Sequence, residues 1–124
     1  MATNISQLTK ECFDWRHALH SYRDEFNKVN KQLPKVVQGP LTTEDLTELG
    51  HFQNQFYIQL INIHDLRKAL KQHNQKVNHE VSHNGGHVSE KTVSDHAYLH
   101  DQYQMLEHTL QDIKHDYQNF VQSL

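Results

Sequence analysis

The stretch Ile5 to Leu33, ISQLTKECFDWRHALHSYRDEFNKVNKQL, decides the fold. Its apolar residues are Ile5, Leu8, Cys12, Trp15, Leu19, Tyr22, Phe26, Val29 and Leu33, separated by alternating steps of three and four. A strand would alternate every second residue. Steps averaging about 3.5 draw one stripe down a helix and mark a coiled-coil-like seam. Asn4, with Gln7 three residues on, reads as the cap. Pro34 is expected to end the helix, because proline disfavours helical geometry in the residue before it. Helix 1 is therefore expected over about 4–33.

The C-terminal end repeats the pattern. His96, Leu99, Tyr103, Leu106, Leu110, Ile113, Tyr117, Phe120 and Leu124 follow the same steps, with Ser89 or Thr92 able to cap a helix over about 89–123. Between the two, Gly39-Pro40 marks a loop over 34–42. Thr42-Thr43-Glu44-Asp45 reads as a second cap, with acids where the helix dipole favours them. Helix 2 is expected over about 43–82, and Asn84-Gly85-Gly86 closes it in a turn over 83–88. One row of helix 2 is wholly apolar: Leu49, Phe56, Ile63, Leu70 and Val77. The row taken as its companion is mixed: Leu46, Gln53, Leu60, Arg67, Asn74 and Val81.

Three amphipathic helices joined by short connections bury their stripes against one another. The expectation is one all-α domain over 1–124: an up-down-up antiparallel three-helix bundle with heptad packing, roughly 45–55 Å long. The layout is similar to spectrin-repeat architecture, a likeness of form that implies no function.

Composition narrows the chemistry. The chain has 12 Lys+Arg against 15 Asp+Glu, for a formal charge of -3. Such a balance argues against nucleic acid as a partner, which needs clustered cations. Arg67, Lys68, Lys71 and Lys76 read as a solvated helix face. No apolar run approaches the roughly 20 residues of a membrane span. With a single cysteine, no intrachain disulfide is possible. The start has neither the basic nor the apolar region of a secretory signal, so a cytoplasmic location is expected.

Antiparallel arithmetic suggests which residues share a level. It sets Gln53 beside Tyr22 and Tyr117, and Asn74 beside His96, as two buried polar layers that would fix pairing. Arg67 falls near Tyr103, its head expected to snorkel past the ring. Histidine numbers 12 in this chain, and six of them, His73, His79, His83, His87, His96 and His100, collect at the Gly85-Gly86 end. The pairs His79/His83 and His96/His100 stand one helical turn apart, a spacing that chelates divalent transition ions. His79, His83, His87, His96 and His100 are thus the candidate ligands for zinc or nickel. Cys12, on the seam, reads as an inert core thiol.

No phosphate loop or activated nucleophile is evident, so an enzyme is not expected. The segment FYIQLINI, Phe56 to Ile63, carries the other functional hint. Ile58 and Ile61 lie opposite the seam and Tyr57 flanks it, so a lone bundle would leave them in water. Helix 2 packing on its own copy in a homodimer, joined by Phe13, would cover them; another helical protein is the alternative partner. The leading expectation is a self-associating interaction module. A histidine-based metal-binding or pH-responsive bundle is the alternative.

Overall fold

The computed structural model describes residues 4–36 and 39–124, and they form an all-α three-helix bundle. Helix α1 is Ile5–Val36, α2 is Thr43–His83 and α3 is Glu90–Ser123. Residues 37–38, within the expected loop, lie outside the described residues.

Local chemistry sets the ends. The Asn4 carboxamide oxygen accepts from the Gln7 N–H at 3.1 Å, closing the first turn of α1. Thr42 caps α2 with a full box: its hydroxyl accepts from the Asp45 N–H, and the Asp45 carboxylate accepts from the Thr42 N–H. Ser89 caps α3 through the Thr92 N–H at 3.2 Å. Gly85 and Gly86 follow α2 at φ of 62° and 86°, left-handed values that disfavour any side chain.

One end departs from expectation. Helix α1 runs through Pro34 to Val36 instead of stopping at Leu33. Proline lacks the N–H that would bond four residues back, a loss of one bond in a final turn. Leu33 is buried in the core, and that packing holds its helical geometry against the proline.

The seams of α1 and α3 meet as the periodicity requires. Cys12, Trp15, Leu19, Phe26, Leu33, Leu99, Leu110 and Tyr117 form one core with Phe52, Phe56, Ile63 and Leu70 of α2. Antiparallel order is visible in the ring pairs: Phe56 lies 5.3 Å from Phe26 and 5.1 Å from Tyr117, both edge-on. Helices α1 and α3 run parallel, tied by the Lys114–Glu25 ion pair at 2.6 Å.

Helix α2 required two corrections. Its wholly apolar row is buried from Phe56 to Val77 with Leu49 half-buried, but Phe52, Gln59 and His73 are the buried members beside it, while Gln53 is exposed. A helix packed on two neighbours needs a wider stripe than a two-stranded seam, so both flanks of the apolar row are used. The level of α1 against α2 is also shifted. Phe26, not Tyr22, meets Phe56, so Gln53 and Tyr22 do not share a layer; the Tyr22 hydroxyl accepts from Gln111 instead, at 3.2 Å. Arg67 faces α1, in the field of Arg23, Arg16 and Asp24, and Tyr103 donates its hydroxyl to Glu107.

Candidate metal centre

The helices bring three ligating side chains together at the level of Trp15. Cys12 comes from α1, His73 from α2 and His96 from α3, and all three are buried. One donor atom from each lies within 4.8 Å of the others. His73 Nε2 stands 3.1 Å from His96 Nδ1, a hydrogen bond across the α2–α3 interface. On the far side of the same ring, His96 Nε2 is 3.7 Å from Glu11 Oε1, and this buried nitrogen has no hydrogen-bond partner.

Each position has a local cause. Cys12 is a seam residue of α1, which places Glu11 one step off the seam beside it. His96 heads the seam of α3. His73 lies three residues past Leu70 on the flank of α2 that faces α3. Around them, the Trp15 indole packs 5.0 Å from the His96 ring and lies flat against His100 at 5.1 Å. A turn beyond, fully buried Thr92 donates its hydroxyl to Glu80 and accepts from Ser89, closing the end of the core.

Burial controls the charge state. Desolvation lowers both imidazoles below the usual histidine value. The neighbouring His96 adds to this at His73, while Glu11 opposes it at His96. Both rings are therefore neutral near pH 7, the form that binds metal. Desolvation raises the Cys12 thiol to about 11, with Glu11 adding to the rise and Arg16 opposing it. Without an ion, Cys12 is a protonated thiol.

The expected ligand set does not gather in one place. Of His79, His83, His87, His96 and His100, only His96 joins the cluster. His79 and His83 stack at 4.1 Å on the exposed outer side of α2, where His83 Nδ1 donates to the His79 carbonyl at 2.8 Å. His87 is exposed in the turn, and His100 is engaged by Trp15. The buried layer expected from Asn74 and His96 is made by His73 and His96 instead. Asn74 is half-buried, and its buried Oδ1 has no partner. The error is one residue, because the flank of α2 facing α3 starts one position before the row chosen from sequence.

No protein-family description, curated protein or solved structure matches this chain. Its chemistry must be read from its own residues.

Two members of the cluster lay outside the expected set: Cys12, which is buried in the core as its seam position implies, and His73. The signal for His73 was the row Phe52, Gln59, Leu66, His73, Glu80, spaced by sevens. Glu48/His51 and Glu80/His83 also carry the Glu-x-x-His spacing of di-iron carboxylate bundles. Both sit on α2, whereas that chemistry draws the motif from two helices, and Glu80 is held by Thr92.

Elsewhere the surface is grooved. A concavity of about 600 Å³ runs between α2 and α3, lined by Gln59, Leu66, Ala69, Tyr98, Leu99 and Met105 among others. The outer face of α2 leaves Tyr57 62%, Ile58 39% and Ile61 46% exposed. Phe13 is exposed too, stacked on His17. Its neighbour Cys12 is level with His73, so Phe13 is level with about Gln72, roughly 16 Å along the axis from Ile61, and does not join that patch. No described helix is long and apolar enough to cross a membrane.

Proposed function

We propose that this chain is a transition-metal-binding helical bundle, with Cys12, His73 and His96 holding one divalent ion of the zinc class. The observation that carries the reading is the convergence of three buried donors, one per helix, within 4.8 Å. Tetrahedral zinc with nitrogen ligands at about 2.0–2.1 Å spaces them about 3.3 Å apart. The His73–His96 nitrogens, at 3.1 Å, approach that value. A thiolate with two imidazoles favours zinc or copper over magnesium or calcium.

Loading breaks the Cys12 Sγ–H bond and forms a Sγ–metal bond, and the proton leaves to solvent. The ion replaces a buried polar cluster that is only partly hydrogen-bonded with three strong bonds. Because each helix supplies one ligand, binding free energy becomes folding free energy for the whole bundle.

The test uses protein purified without a histidine tag or nickel column, in a His79→Gln, His83→Gln background that removes the surface pair. Zinc calorimetry should give one site tighter than about 1 μM and a higher Tm. Cobalt should give the near-ultraviolet thiolate charge-transfer band, lost in Cys12→Ser. Trp15, the sole tryptophan and 5.0 Å from His96, should report copper by quenching. Affinity weaker than about 1 μM with no rise in Tm, or a cobalt spectrum unchanged by Cys12→Ser, refutes the reading.

A second reading rests on the exposed Tyr57, Ile58 and Ile61: the bundle self-associates by packing α2 on a second copy. Light scattering on wild type and on Ile58→Lys, Ile61→Lys tests it. A wild type that is monomeric at high concentration ends it.

A further inference from the structure

Glu11 stands beside His96 Nε2, on the side of the ring away from His73, and that placement has a chemical consequence. We propose that Glu11 is the positioning residue of the site: it selects the tautomer of His96 and so decides which nitrogen meets the ion. That the selected nitrogen meets an ion rests on the metal-binding reading above. The tautomer itself does not.

Two arrangements of the histidine pair are possible in the metal-free protein. In the first, His73 Nε2–H donates to His96 Nδ1, and His96 Nε2 carries the second proton. In the reverse arrangement, His96 Nδ1–H donates to His73, and His96 Nε2 turns a bare lone pair towards Glu11 Oε1, 3.7 Å away. A lone pair facing a carboxylate repels it, whereas an N–H there is attracted. The buried Nε2 has no hydrogen-bond partner, and Glu11 is the carboxylate that acts on His96; Asp95 and Glu80 act on His73 instead, with Lys76 opposing them. The ring is thus set with Nδ1 bare and turned towards the His73 nitrogen. Carboxylates hydrogen-bonded to the remote nitrogen of a ligating histidine serve this purpose in metal sites generally. When an ion enters, the proton on His73 Nε2 shifts to Nδ1 of the same ring, leaving two bare nitrogens at the ion. No proton is lost in that shift.

Glu11 is well suited to testing, because its side chain is about a third exposed and forms no part of the core (31%). Nitrogen-15 NMR of metal-free protein at pH 8 reads the tautomer directly. Wild type should show His96 protonated at Nε2 and bare at Nδ1. In Glu11→Leu the population should move towards the opposite form, with Glu11→Gln between the two. Zinc affinity should fall roughly 10–100-fold in Glu11→Leu, and less in Glu11→Gln.

A wild type protonated at His96 Nδ1, or a tautomer indifferent to Glu11→Leu, overturns the proposal. Zinc affinity unchanged in Glu11→Leu overturns the positioning role as well. If wild type takes up no zinc, the metal-binding reading falls, and the tautomer measurement still decides whether Glu11 orders the pair.

Discussion

At the scale of single residues, the protein tolerates polar atoms in its interior where a plain zipper would have leucine. Arg67 shows the cost. Its buried Nε has no acceptor, and burial together with the like charges of Arg23 and Arg16 pushes its pKa below the usual arginine value. Replacing Arg67 by Met should raise stability, on the order of 1 kcal/mol, by removing an unsatisfied donor and keeping the apolar stem. Urea denaturation checks this, and a loss of stability would mean the guanidinium has a partner in solution. Cys12 supplies a second residue-scale expectation. Its thiol, raised to about 11 by desolvation, must lose a proton to bind metal. Apparent zinc affinity should therefore rise about tenfold per pH unit between about pH 7 and 9, as competition titrations would show.

At the scale of elements, the helices are bounded by short-range bonds whose removal has a local cost. Thr42→Ala deletes one half of the capping box of α2 and should cost about 1 kcal/mol. Amide hydrogen exchange would place the loss in the first turn, and uniform acceleration along α2 would contradict a purely local cap. The cap, the seams of α1 and α3 and the Gly85-Gly86 break were all legible in the chain, because each depends on residues within a turn or two of one another. Helix α2 was legible only in part. Its central row, Leu49 to Val77, is dictated by period, but its flanks depend on where α1 and α3 lie. Gln53 and Asn74 were expected inside on that ground; Gln59 and His73 are the buried ones. The passage of α1 through Pro34 has the same origin, since local preference yielded to the burial of Leu33.

At the scale of the whole molecule, three helices share one core, and its aromatic centre should behave cooperatively. Phe56 is fully buried between Phe26, Phe52 and Tyr117, so Phe56→Ala should cost about 3–5 kcal/mol in a single unfolding transition. The metal-free protein should also lose stability on acidification. The folded pKa values of His73 and His96 lie below the unfolded value near 6.5, so the unfolded chain binds more protons in that range. Their contribution is complete above about pH 7.5 and is lost as pH falls through 6.5 towards the folded values. The slope is at most about 1.4 kcal/mol per pH unit for each proton. Thermal melts between pH 5 and 8 test this, and a flat curve would show the two rings to be solvated.

What the chain by itself determined is the helical class, the order of elements and the stripes of α1 and α3. These follow from the 3.5-residue period and from caps written in adjacent residues. Tertiary structure alone decided that Cys12, His73 and His96 meet, and that His79, His83, His87 and His100 stay outside that cluster. The reason is geometric. A step of one residue turns a helix by about 100°, so a small error in level or facing exchanges a buried ligand for an exposed neighbour. Only packing against two other helices fixes both quantities.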